Sequence, residues 1–212
     1  MIHIRCSTLS EIMTDPKSGD GLSAGAKTFL RFMAKEYKYG FNQIITSKFM
    51  DKGTQCEADA IELYNSVFFT NYTKNTERLT NDWITGECDI IVPTKKVIDI
   101  KCAWSLATFP ATSDEVAEIS KKSGYDWQGR GYMMLHDVDE FEVAYCLVST
   151  PEELIKYEQQ DLHFVDHIDP ALRVTRFSWK RDKTLEEKIK HKVDLAREFL
   201  LDQVAAITLE HA

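Results

Sequence analysis

Two aspartates and a lysine stand where apolar residues would be expected. They lie in Gly86-Glu87-Cys88-Asp89-Ile90-Ile91-Val92, then Pro93-Thr94-Lys95, then Lys96-Val97-Ile98-Asp99-Ile100-Lys101. Two apolar runs joined by a short turn predict a β-hairpin. Side chains alternate along a strand, so Asp99 and Lys101 share one face, and Ile98 and Ile100 share the other with Ile90. With a loop at Pro93, Thr94 and Lys95, Val92 pairs with Lys96, and counting back sets Asp89 opposite Asp99. Residues so opposed have Cβ atoms roughly 5 Å apart. Two carboxylates at that range repel, and one keeps its proton unless a cation lies between them. A divalent metal resolves the conflict, and the ammonium of Lys101 beside it suits the attack of water on a phosphate. The plain alternative is an edge strand carrying charge against aggregation. The isoleucines on the opposite face make the polar face a coherent set and favour a site.

Two further elements must position partners for this set. Residues 52–64 have helical spacing, with Ala60, Ile61, Tyr64, Val67 and Phe68 as an apolar stripe and Glu57 at its edge. Residues 125–135 also read as a helix despite two glycines, and Gln128 and Tyr132, four apart, share one face of it. The wider pattern predicts helices over residues 23–37, capped by Ser23, and 47–70. A strand is predicted at 83–85 and a flexible polar loop over the site at 108–122. A buried strand is expected at 141–148, a helix start at Pro151, and later strands at 163–165 and 172–179. A final amphipathic helix covers 184–206, with Leu185, Ile189, Val193 and Leu200 in its stripe. The fold class read from this order is α/β, a central mixed sheet flanked by helices, in one domain over residues 1–212.

Composition narrows the function. A chain of 212 residues with 43% hydrophobic content suits one domain with a real core. No run reaches the ~18 apolar residues of a membrane span, and residues 1–5 lack the charged and apolar regions of a signal peptide, so a cytoplasmic protein is expected. The five cysteines stand singly, without paired spacing, which argues for free thiols and against zinc. His163 and His167 read as surface or core-edge residues and not as catalytic bases. The net charge of −8 is unusual for a nucleic-acid binder. Net charge describes the whole surface, however, and a locally basic channel is compatible with it. Its candidate lining is Lys48, Lys52, Lys101, Lys121, Lys122, Arg130, Lys180 and Arg181.

The order Glu57, Asp89, Asp99-Ile100-Lys101, then Gln128-x-x-x-Tyr132, resembles the PD-(D/E)XK nuclease superfamily. Within it the chain most resembles the lambda exonuclease / YqaJ viral recombinase group of phage alkaline exonucleases. Residues 7–19, from Ser7-Thr8-Leu9-Ser10, resemble that group's N-terminal serine segment; residues 52–64 resemble its glutamate helix; Asp99 to Cys102 resembles its E-x-K-C strand, with Asp for Glu. The resemblance spans nearly the whole chain. It departs at the N-terminus, where the family's aromatic and arginine before the serine lack counterparts and Arg5 does not align. It departs again at Glu87, where the family has serine.

The resemblance implies a restriction-endonuclease-like core and a metal-dependent exonuclease acting 5′ to 3′ on linear double-stranded DNA, leaving 3′ single-stranded tails for recombination by strand annealing. Asp89, Asp99, the Ile100 carbonyl and Glu57 would hold Mg²⁺, with Mn²⁺ able to substitute. Lys101 would orient or deprotonate the attacking water, Gln128 would position the lysine or the scissile phosphate, and Ser7, Lys52, Arg130 and Tyr132 are the expected DNA contacts. Relatives form toroidal trimers on DNA ends and work with a single-strand annealing protein. A DNA endonuclease with the same metal site, or a non-catalytic DNA-binding or assembly protein, are the competing readings.

Overall fold

The computed structural model describes residues 3–210. A four-stranded mixed sheet forms its centre, in the order β4 (Ile90–Val92), β5 (Lys96–Cys102), β6 (Glu140–Cys146) and β7 (Val174–Lys180). β4 and β5 form the expected antiparallel hairpin, with Val92 opposite Lys96 and Ile90 opposite Ile98. Thr94 takes the left-handed conformation at the turn, at φ 60°. β6 runs parallel to β5 and antiparallel to β7. A three-stranded sheet, which the sequence reading did not separate from the first, joins β1 (Ile4–Arg5), β3 (Ile84–Gly86) and β2 (Leu79–Thr80). The fold is thus mixed α/β, as its element order suggested.

Strand alternation divides the core. Ile98 and Ile100 of β5, with Ile90, Ala144 and Cys146, pack under α3 (Lys48–Phe68) through Cys56, Ala60, Ile61 and Tyr64. On the other face Val97, Phe141 and Val143 meet Tyr132 and Met133 of α5 (Tyr125–His136), with α1 (Leu9–Met13), α2 (Ala24–Tyr39) and α7 (Lys183–Glu210) behind. α3 is further tied to the sheet by the buried carboxylate of Glu142, which accepts from Tyr64 Oη at 2.6 Å and Lys96 Nζ at 2.8 Å. Among the described residues no helix is long and apolar enough to cross a membrane.

Helix ends follow local chemistry. Ser23 and Ser47 accept from Ala26 N–H and Met50 N–H at the starts of α2 and α3, and Gly40 ends α2 in the left-handed region at φ 67°. Two expectations are corrected. Residues 108–122 are not an irregular loop: α4 (Ser113–Ser123) occupies most of them, capped by Thr112, closed by Gly124 and steadied by Glu115, which accepts from Ala111 N–H. Residues 163–165 are not a strand; they follow a short 3₁₀ turn, and His163 is buried there. The expected helix start at Pro151 is found, and the helix it opens is a single turn, α6 (Glu152–Ile155).

The glycines of α5 are explained by packing. A Cβ on Gly129 would overlap the Phe141 ring on β6, and one on Gly131 would press on Cys6 and Leu9. Gly in a helix interior costs ~1 kcal/mol relative to Ala, but here it lets the helix carrying Gln128 sit close against the sheet. Gly129→Ala is therefore expected to destabilise the protein by ~1–3 kcal/mol despite alanine's better propensity. Equal or higher thermal stability of the variant would contradict this packing argument.

Candidate active site

The hairpin delivers Asp89 and Lys101 to one cleft and holds Asp99, buried, against the Lys101 ammonium. β4 starts at Ile90, so beyond the Ile90–Ile98 pair no strand neighbour meets the Ile100 N–H. The side chain of Asp89 takes that place, its Oδ2 accepting from Ile100 N at 2.6 Å. A side chain thus continues the ladder and is oriented by it. Asp99, 2% exposed, projects from the α5 face of β5. Its Oδ2 lies 2.7 Å from Lys101 Nζ, and its Oδ1 is 3.4 Å from Gln128 Nε2. Gln128 donates from the same nitrogen to Tyr132 Oη at 2.8 Å. The ammonium of Lys101 also lies over the Tyr125 ring, 4.3 Å from its centroid. The cleft, of about 500 Å³, is bordered by Glu57, Lys74, Asp89, Ile100, Lys101 and the rings of Phe49, Tyr125 and Tyr145.

The electrostatics follow from this crowding. Burial and then the charge of Asp99 push the Asp89 carboxyl up to about 7, against the pull of Lys101 and the Ile100 N–H. Burial works against the Lys101 ammonium, but Asp99, Tyr125 and Asp89 outweigh it and hold its pKa above the ordinary lysine value. These neighbours favour the charged form of Lys101.

A hard divalent ion fits these residues. Asp99 Oδ2 is buried, with the Lys101 ammonium at 2.7 Å as its close partner. Beside it are a second, partly protonated carboxylate and the backbone of Ile100, an all-oxygen donor set of the kind Mg²⁺ takes. Glu57 stands apart: its Oε2 pairs with Lys74. Among the described residues no three His, Cys, Asp or Glu side chains gather closely enough to hold a metal by themselves. The protein's ligands would thus be Asp89, Asp99 and the Ile100 carbonyl, with Glu57 reachable only on leaving Lys74.

Asp89, Asp99, Lys101, Gln128 and Glu57 therefore meet at or beside one cleft. None of the four expected DNA contacts lines that cleft. The Lys52 ammonium is buried and donates to the carbonyls of Ala103 at 2.7 Å, Trp104 at 3.1 Å and Val148 at 2.8 Å, and to Thr150 Oγ1 at 2.8 Å. It is a structural cation, out of reach of a ligand. Tyr132 is 4% exposed and props Gln128 from behind. Arg130 lies toward Trp127 and lines no part of the cleft, because it sits nearly opposite Gln128 around α5. Ser7 is exposed in the 3₁₀ turn of residues 6–8, also outside the cleft lining. Of the other basic candidates, Lys180 pairs with Glu140, and Arg181 with Asp137 and Glu186. Lys121 and Lys122 border a larger cleft of about 790 Å³ between α1, the start of α2 and the end of α4, which contains none of Glu57, Asp89, Asp99, Lys101 and Gln128. Sequence reasoning missed Lys74 and Tyr125. Tyr125 was legible, being three residues before Gln128 on one helix face; Lys74, in an irregular loop, carries no local signal.

Among known proteins, no family model and no curated protein matches the chain. Solved structures do. The chain is 37% identical to a phage-related exonuclease from Haemophilus somnus 129PT, over 97% of this chain and 96% of that one, with a TM-score of 0.92. An alkaline exonuclease (LHK-Exo) from Laribacter hongkongensis shares the fold at 16% identity, over 99% and 93% of the two chains, with a TM-score of 0.67; its complex with dAMP matches at 0.66.

Proposed function

The chain belongs to the lambda exonuclease / YqaJ-like group of phage exonucleases, a nuclease family, and from that premise we propose that it is a metal-dependent exonuclease degrading linear double-stranded DNA 5′ to 3′ and leaving 3′ single-stranded tails. The observation that carries this reading is that one hairpin sets Asp89 and Lys101 on a single open cleft, with Asp99 buried against Lys101. Asp89, Asp99 and the Ile100 carbonyl would hold Mg²⁺, or Mn²⁺ in its place. A bound divalent ion supplies Lewis acidity toward the phosphate and an acidified water. The chain's own residues do the rest. Lys101, charged and steadied by Asp99 and the Tyr125 ring, orients the attacking water and stabilises negative charge growing on the phosphate. Gln128, held by Tyr132, fixes the Asp99 carboxylate. The N–H of Ile100 keeps Asp89 facing the cleft.

The test uses 5′-phosphorylated linear duplex and a covalently closed circle, each with Mg²⁺ and with EDTA. Digestion of the linear form alone, abolished by EDTA, is expected. Cleavage of the circle would identify an endonuclease, and no metal-dependent cleavage of either would leave a binding or assembly protein. The pH dependence has a definite sign. Asp89 keeps its proton below about 7 in the cation-free cleft, and a proton there competes with the metal. At sub-saturating Mg²⁺, cleavage should rise steeply with pH up to about 7 and then level. Saturating Mg²⁺ should move the rise to lower pH, and a profile unmoved by Mg²⁺ would remove Asp89 from the ligand set.

A further inference from the structure

The catalytic reading gives Lys74 no task, yet the fold takes trouble to hold it. It lies in the irregular connection between α3 and β2, where a lysine would ordinarily wave in solvent. Two asparagines pin that connection. Asn65 of α3 accepts from Tyr72 N–H at 2.9 Å and Thr70 Oγ1 at 2.8 Å, and donates to Tyr72 O at 2.8 Å. Asn75, next to Lys74, donates its N–H to the carbonyl of Asp89 at 2.7 Å and its side-chain amide to that of Cys88 at 3.0 Å. The backbone at Lys74 is thus tied to the backbone of a catalytic aspartate, so its side chain reaches the same cleft as Asp89 and Lys101.

There the Lys74 ammonium contacts Glu57 while its side chain remains 45% exposed. The cleft is open on that side, and the ammonium has protons to spare beyond the one contact. Three carboxylates, Glu57, Asp89 and Asp99, face two ammoniums, Lys74 and Lys101. A divalent ion turns that negative excess into a positive one, which is what a chain of phosphates requires.

We propose that Lys74 is a substrate-positioning residue whose ammonium exchanges Glu57 for a DNA backbone phosphate beside the scissile one. The proposal rests on the nuclease reading above. It also releases Glu57 toward the aspartates when substrate arrives, so that the resting ion pair and the loaded cleft use the same two side chains.

The test measures the affinity of a 5′-phosphorylated duplex oligonucleotide for the intact chain carrying Lys101→Met, with Mg²⁺, across a range of salt. Adding Lys74→Gln is expected to raise Kd ~10-fold and to lower the slope of log K against log salt by about one ion, as losing one phosphate contact should. Lys74→Arg is expected to restore both. In the chain with Lys101 intact, Lys74→Gln should raise KM by a similar factor and change kcat less. Unchanged affinity and salt slope would overturn the proposal and leave Lys74 as a mere partner of Glu57. So would a Lys74→Arg variant that binds no better than Lys74→Gln. If the Lys101→Met parent shows no salt-dependent binding and the native chain no cleavage, the nuclease reading fails first and this proposal with it.

Discussion

Replacing Lys101 with alanine is expected to lower phosphodiester cleavage by ~10²–10⁴-fold, the range lost when a proton-transfer group or a charge-stabilising donor is removed from an active site. The fold should survive, because Lys101 is not a core residue: it borders the cleft and its side chain is 23% exposed. What disappears is the one ammonium held against both Asp99 and the Tyr125 ring. Its raised pKa separates two roles. A lysine acting as base must lose its proton readily near neutral pH, whereas here Asp99, Tyr125 and Asp89 together favour the charged form over the opposing effect of burial. On the proposed mechanism the charge itself is the property that catalysis uses. Lys101→Met, which keeps the length of the stem and its packing on Tyr125, should be as inactive as Lys101→Ala. DNA affinity of both should stay within a few fold of the native chain. Retained cleavage in either variant would remove Lys101 from the mechanism, and loss of DNA binding together with folding would show a structural role.

Lys52→Met is expected to cost ~3–5 kcal/mol of stability, the scale of breaking a buried and fully hydrogen-bonded charge, and to lower Tm by ~10 °C. Lys52 reads in sequence as a basic residue near the glutamate helix, and hence as a DNA contact. In the fold its ammonium fastens the end of β5 to the end of β6: Ala103 and Trp104 follow one strand, Val148 and Thr150 the other. Burial pulls its pKa down to about 8, so at pH 7 it is still an ammonium, the form with three N–H donors to share among these four acceptors. Methionine fills the space but takes the ammonium donor from the Ala103 and Val148 carbonyls, while Trp104 O keeps Thr150 Oγ1 and that hydroxyl keeps His163 Nδ1. Thermal denaturation and DNA affinity together decide the matter. A large fall in Tm with unaltered affinity per folded molecule is the expected result. An unchanged Tm with weakened DNA binding would return Lys52 to the DNA-binding surface.

The contrast between these lysines marks what each level of structure contributes. Local, short-range rules were enough for the hairpin. Strand alternation puts Asp99 and Lys101 on one face, and a three-residue loop sets Val92 against Lys96 as found. Ser23, Ser47 and Gly40 mark helix ends by interactions within a few residues of themselves. The same logic was available for α4, where Thr112, Glu115 and Gly124 are a cap, a first-turn acid and a stop; its thin apolar content disguised it as a loop. The glycines of α5 gain their meaning only from the Phe141 ring on a strand that follows.

By itself the sequence determined the shared face of Asp99 and Lys101, the α/β element order and the family likeness, because these depend on residue type and on spacings of two, three or four; Asp89, expected opposite Asp99, lies beyond the ladder and bonds the Ile100 N–H instead. Only the tertiary structure decided which cations serve the site. Lys52 and Lys74 are both helix- or loop-borne lysines with no local mark. One is drawn inside because the ends of two strands leave carbonyls that need a donor. The other is led to the cleft because Asn75 binds the backbone of Asp89, fourteen positions further along the chain. Charge placement of this kind is set by contacts distant in sequence, which no periodicity records.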